Sequence, residues 1–248
     1  MQNLGHYLRS RDQEHLNIFL NQLNWLEQHA VIREDGAAVW PHNFNLQEGA
    51  ILLKAPWVSC NTQGLVISAL IRGWRITRRP RLLELLSRSS RIFEIECASG
   101  GVRVQREGHI VYTETPGLPA PGILDGFMTS LLGLFDLCVE TGDTRVYELF
   151  LEGVEGLKHF LPQWDYQKKW SFYGNRFYLC SPMYHCLNRI LLTSLARVTE
   201  EPLFGEYVEA WNPAHLSGRD RAEIYTRFLL SKNGFRLTQR TGRQETVN

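Results

Sequence analysis

Three short segments of this sequence carry residue types that can move protons or hold an anion. The first is Tyr112-Thr113-Glu114-Thr115-Pro116, a strand-like run ending on a carboxylate shortly before an apolar helix. A glutamate placed there suits a general base, although position alone favours a solvated loop carboxylate. The second is Tyr173-Gly174-Asn175-Arg176, where a tyrosine and an arginine share a turn. An arginine fork can bind a carboxylate through two parallel N–H bonds; its competing use is packing along its aliphatic stem. The third is Tyr184-His185, in the first turn of a predicted helix after Pro182. A tyrosine near a cation can serve as acid or base, while a half-buried packing tyrosine is the commoner use.

Other chemistries find no purchase. His185 and Cys186 are not a nucleophile pair, because neighbours on a helix point about 100° apart. The five cysteines show no CxxC spacing and the eight histidines no His-x-x-x-His cluster, so reduced thiols are expected and no metal site. No Gly-rich phosphate loop, G-x-S-x-G elbow or EF-hand loop is present, and no cofactor is expected. Trp40, Trp57, Trp164 and Trp170 fall in loops, where they either stack on sugar rings or fill hairpin corners.

The elements that must position these residues are mostly helical. Leu16, Phe19, Leu20, Leu23 and Leu26 recur at helical spacing and predict an amphipathic helix over about 12–30. Residues 31–60 read as irregular. Three helix pairs follow. The first spans 62–77 and 81–96 around Arg79-Pro80, and the second 123–140 and 144–161 around Thr141-Gly142-Asp143. The third spans 181–199 and 202–211 around Glu200-Glu201-Pro202. Ile67-Ser68-Ala69-Leu70, Met128-Thr129-Ser130-Leu131 and Leu191-Leu192-Thr193-Ser194-Leu195 set these pairs out as one unit recurring about every 60 residues. Repeated helical hairpins predict an α/α toroid or a solenoid. The links at 99–113 and 168–178 read as β-hairpins. A single domain over 1–231 and a polar tail over 232–248 are expected.

If the first helix of each pair lies inside, the three helix N-termini face one end, and the long links converge there. Asn61, Gln63, the 114–125 segment and the 173–184 segment then share one mouth. Helix N-termini carry partial positive charge, so an anionic ligand is favoured. The net charge of +1 gives no reason to expect nucleic acid. No membrane span or leader pattern is read from the chain, and a cytoplasmic protein is expected.

At this point the motifs become specific. The run from Trp57 through Asn61, Gln63 and Gly64 to Leu70, the run Glu114-Thr-Pro-Gly-Leu-Pro, the run Ile123-Leu-Asp-Gly-Phe-Met-Thr-Ser-Leu, and Tyr184-His185 with Glu201-Pro-Leu-Phe downstream resemble the C-terminal domain of the D-glucuronyl C5-epimerases. The resemblance covers about residues 4–211. It implies an all-α fold, an incomplete α/α toroid of helical hairpins with short β-hairpin insertions. It also implies a glycan partner, since that family converts glucuronate to iduronate within heparan-type polysaccharides. Glu114 matches the family's catalytic glutamate, Tyr173 and Tyr184 its active-site tyrosines, and Arg176 an arginine near the substrate carboxylate. Trp57, Asn61, Gln63, Thr115 and His185 are the expected substrate contacts. Two departures stand out. The family's Glu-Tyr-Pro reads Glu114-Thr115-Pro116 here. The family also carries an N-terminal β-rich region, whose place a β-rich partner chain or a homo-oligomer is expected to take.

The chemistry fits the residue types. Inverting C5 of a uronate removes a proton beside a carboxylate and returns one from the opposite ring face. That calls for a neutralising group, here Arg176, and two acid/base groups, here Glu114 and Tyr184. The rival readings are a non-catalytic glycan-binding or assembly domain and a uronate lyase, which begins with the same proton abstraction.

Overall fold

A computed structural model describes residues 2–48, 51–174 and 178–241 of the chain. Helices dominate. The chain opens with α1 (Gln2–Ser10) and α2 (Gln13–Gln28). The Asp12 carboxylate caps α2 by accepting the Glu14 N–H at 2.9 Å, which satisfies a backbone donor that the helix cannot.

Residues 31–60, which read as irregular, hold two small antiparallel hairpins. These are β1 (Val31–Ile32) with β2 (Ala38–Val39), and β3 (Leu46–Glu48) with β4 (Ile51–Leu53). Strands of two or three residues are too short for an alternating pattern to show in sequence.

The predicted repeat follows: α3 (Cys60–Thr77) with α4 (Pro80–Ser89), α5 (Leu124–Thr141) with α6 (Thr144–Phe160), and α7 (Pro182–Thr199) with α8 (Pro202–Ala210). All three pairs turn the same way. The first helix ends on a residue in the left-handed region, Arg78, Gly142 or Glu200, and the next residue is the extended N-cap position of the second helix, where Asp143 and Glu201 accept backbone N–H groups through their carboxylates. Glycine takes the left-handed position without strain. Proline opens α4, α7 and α8, where its missing N–H costs no bond. The second helix of the first pair stops at Ser89, short of the predicted residue 96, and gives way to single 3-10 turns. Ser89 Oγ donates back to the Leu86 carbonyl at 2.8 Å, the local competition by which serine weakens a helix.

Between the second and third elements of this repeat come β5 (Arg103–Arg106) and β6 (His109–Tyr112), the hairpin predicted over 99–113. Its turn residues Glu107 and Gly108 both have positive φ, as a two-residue hairpin requires. After α6 a three-stranded meander forms from β7 (Asp165–Tyr166), β8 (Trp170–Tyr173) and β9 (Tyr178–Leu179).

The C-terminal helix α9 (Gly218–Thr241) runs ten residues past the point where the sequence reads as a polar tail. Its start is fixed by a reciprocal cap: the Asp220 carboxylate accepts the Ser217 N–H at 3.1 Å, and Ser217 Oγ accepts the Asp220 N–H at 3.1 Å. Asp220 also pairs with Lys169 in the meander.

Helices α3 and α5 lie side by side and parallel, held together by glycine. A Cβ on Gly64 would stand 2.6 Å from the Thr129 carbonyl oxygen, and one on Gly133 would stand 2.6 Å from Gly64 Cα. Further along, Ser68 and Arg72 both reach Asp136, and Arg75 reaches Glu140. The main core fills the space behind this pair, with Ile67, Leu70, Phe127, Leu131, Leu149 and Phe150 fully or almost fully buried. A second, smaller apolar cluster of Tyr166, Trp170, Leu179 and Ile224 joins the meander to α9.

Candidate active site

The loop that carries Glu114 is held from three sides. Gly153 and Gly156 leave room for β6 to lie directly on α6, where Tyr112 Oη donates to the Leu149 carbonyl at 2.7 Å. The Thr113 N–H donates to the Val102 carbonyl at 2.8 Å, and the Thr113 carbonyl accepts the Cys60 N–H at 3.1 Å. The next residue, Glu114, therefore emerges between the first turns of α3 and α5. Its carboxylate rests on the Cα of Gly126, so closely that a methyl group there would overlap it. The partial positive charge of the helix start favours a carboxylate in that position.

Two more acidic groups gather at this point. The Cys60 thiol is fully buried and donates to the Tyr112 carbonyl at 3.3 Å. Its pKa is pushed well up, first by burial and then by the charges of Glu114 and Asp125. Asp125, in the first turn of α5, is only 8% exposed, and burial raises its carboxyl above the usual range despite bonds from backbone N–H groups. The charge of Asp125 acts also on Cys180, whose thiol burial pushes up to about 12. Asp125 thus stands where the beginnings of α3, α5 and α7 approach one another. It lay inside the 114–125 segment but was not singled out. An aspartate next to Gly126 reads as an ordinary helix-start residue, and its burial does not show in the local sequence.

The tyrosines occupy the α7 side. Tyr173 closes β8, and Tyr184 lies in the first turn of α7, where Ser181 Oγ accepts its N–H at 3.4 Å. Both rings are half-buried and meet edge to face, with centroids 5.6 Å apart. The opposite neighbour of Tyr173 is Tyr178, stacked at 5.0 Å. One turn beyond Tyr184, Asn188 donates to Ser171 Oγ at 3.0 Å and approaches Cys180 Sγ at 3.5 Å. Asn188 thus ties the first turns of α7 to β8 and to Cys180. Arg176 lies outside the described residues.

The expected substrate contacts divide. Asn61 is partly exposed in the first turn of α3, and Trp57 is partly exposed beside it, lining a cleft described below. Gln63, Thr115 and His185 lie buried, each engaged with protein partners. Gln63 is fully buried, its amide nitrogen donating to the carbonyls of Ala38 at 2.7 Å and Ser89 at 2.9 Å. It braces the first hairpin against α4. Thr115 is 3% exposed, and its carbonyl accepts Thr113 Oγ1 at 3.0 Å. His185 is fully buried and stacked on Trp170 at 3.6 Å. Its Nδ1 accepts the Ser171 N–H at 3.1 Å and its Nε2 donates to the Trp211 carbonyl at 2.8 Å. Both ring nitrogens are in use, and burial lowers its pKa to about 4. It is a neutral core histidine that a ligand cannot reach.

Among the described residues no three His, Cys, Asp or Glu side chains are grouped to hold a metal ion. No described helix is long and apolar enough to cross a membrane. With this geometry in view, comparison with known sequences is decisive at the level of family: the model of the D-glucuronyl C5-epimerase C-terminus matches residues 34–213. The chain belongs to that family. The match takes in Glu114, Asp125, Tyr173 and Tyr184 together with all three helix pairs. A D-glucuronyl C5-epimerase of Caenorhabditis elegans is 26% identical over 222 residues, which are 82% of this chain and 36% of that protein. An uncharacterised protein of Methanocaldococcus jannaschii is 25% identical over 182 residues, 70% of this chain and 56% of that one. The chain therefore spans between about a third and somewhat over half of these relatives' lengths.

Proposed function

We propose that this C5-epimerase C-terminal family member acts on glucuronate-containing glycans as a uronyl C5-epimerase, in a helical scaffold that forms an incomplete α/α toroid. The observation that carries the reading is the Glu114 carboxylate lying on Gly126 at the start of α5, next in sequence to the buried Asp125 and with its charge acting on Cys60 at the start of α3. Glu114 is the base that removes the C5 proton. Burial raises the pKa of Asp125 beside it, so this carboxyl holds its proton to higher pH than a solvated aspartate does. Tyr184 returns a proton on the other ring face, a role that a phenol hydroxyl can fill. Arg176 neutralises the carboxylate as negative charge develops on it.

A second reading has one observation in its favour. Thr115 stands where the family has tyrosine, and it is buried, so this loop offers one acid/base group fewer. A glycan-binding domain without turnover would keep everything else. Isotope exchange at C5 in deuterated water separates the two, and ultraviolet absorbance from an unsaturated uronate would identify a lyase.

A further inference from the structure

A cleft lies between the two N-terminal hairpins, the 97–101 turn and the loop after Glu114. Its volume is about 670 Å³, within the range of small-molecule sites, roughly 300–1,000 Å³. Pro116 and Gly117 form one wall and Val58 part of the floor. Pro116 is two residues from Glu114, and Val58 is two residues from Cys60, on whose thiol the Glu114 charge acts. The cleft and the glutamate therefore share two backbone segments.

Trp57 lines this cleft and is held rigidly. Its Nε1 donates to the Phe44 carbonyl at 2.9 Å, and its backbone exchanges two hydrogen bonds with His42 at 2.8 and 3.2 Å. The His42 ring covers one face of the indole, with centroids 4.2 Å apart, and is itself anchored by Thr62 Oγ1 at 2.9 Å. Burial lowers the pKa of His42, so this support stays neutral. An indole fixed in advance on one face presents the other without further ordering cost.

The charge on the cleft is one-sided. Arg33 on its far wall is already engaged by Asp35 at 2.8 Å and by the carbonyls of Ser99 and Gly100. Lys54 is exposed at the rim, beside Trp57 and Pro56, and pairs with no carboxylate among the described residues. An apolar platform with an uncommitted ammonium at its edge matches an anionic pyranose, ring on the indole and acidic group on the lysine.

We propose that this cleft is a second sugar subsite, which takes an anionic pyranose residue flanking the uronate on which Glu114 acts. The inference rests on the glycan reading above. The acidic group is a carboxylate or a sulfate ester, chemistries that Lys54 meets alike.

The test titrates the full chain with a glucuronate-containing hexasaccharide, with its carboxyl-reduced counterpart, and with that counterpart after sulfation. Lys54→Met should weaken binding of one or both charged forms by about 5- to 10-fold and leave the reduced form unchanged. Trp57→Leu should weaken all three. Because Trp57 also packs on His42, ligand protection of the native protein is measured as well. Cys97 is half-buried in the cleft lining, and saturating hexasaccharide should slow its alkylation, read by mass spectrometry of its peptide. Unchanged affinity in Lys54→Met for every charged form, or unprotected Cys97, overturns the subsite. If C5 exchange proceeds in the same samples, only the subsite falls. If none of the three saccharides binds, the glycan reading falls with it.

Discussion

Glu114 and Gly126 are in direct contact, the carboxylate of the first lying on the Cα of the second in the opening turn of α5. Nothing larger than hydrogen fits between them. Gly126→Ala should therefore push the carboxylate aside while slightly favouring the helix, since alanine is the better helix former by about 0.5–1 kcal/mol. The expected result is a loss of C5 exchange of roughly 100-fold, typical of a base displaced by an ångström, with the folded domain retained by circular dichroism.

Asp125 offers a pH test. Burial raises its folded-state pKa above the unfolded value. Its protonated form is compatible with the fold, and ionising it costs stability as pH rises through the raised pKa. Asp125→Asn keeps the shape and removes the titration. The variant should melt higher than the parent at neutral pH, with the gap closing as pH falls below the ordinary aspartate range. A constant gap across pH would contradict the assignment.

His185 titrates with the opposite sign. Its folded pKa is depressed to about 4, so the unfolded chain binds its proton first. Stability due to its neutral form is complete above about 6.5 and is lost as pH falls toward 4, on the order of 3 kcal/mol in all. Chemical denaturation of the parent and of His185→Gln across this window measures it. The variant should be less stable at neutral pH, since two buried hydrogen bonds are disturbed, and its stability should fall less steeply with acid.

The contact between α3 and α5 is close enough to test by one methyl. A Cβ at Gly64 would meet backbone atoms of Thr129 and Ser130 within 2.6–3.0 Å, and backbone cannot rotate away. Gly64→Ala should cost about 1–3 kcal/mol by overpacking, seen as a lower urea midpoint with an unchanged slope.

The helical pairs were legible in the sequence because each carries long apolar periodicity and a proline or glycine at its turn. The β5–β6 hairpin was legible from Glu107-Gly108 between alternating Val and Ile residues. The motif order around Glu114 and Tyr184 carried the family. Helix α9 was missed although Ser217-Gly-Arg-Asp220 is a cap sequence, because a largely polar run follows it. The burial of His185 and Gln63 was not legible, for a single reason. Neighbouring positions on a helix start can point into the core or into the mouth, and only the partners brought by distant segments, Ser171 and Trp211 for one and Ala38 and Ser89 for the other, decide which.

Tyr184 meets Tyr173 edge to face, so Tyr184→Phe preserves the packing and deletes only the phenol oxygen. Turnover should fall by roughly 100- to 10,000-fold with glycan affinity little changed, measured by exchange rate and titration on the same preparation. Equal losses in both would make the residue a binding contact instead.

The central claim, that Glu114 removes a proton from C5 of a glucuronate, is tested most directly by incubating a glucuronate-containing oligosaccharide with the protein in deuterated water. The account requires deuterium at C5 together with iduronate, both lost in Glu114→Gln while the oligosaccharide still binds. Bound oligosaccharide with no deuterium at C5 in the parent protein, with the β-rich partner present or absent, would contradict it.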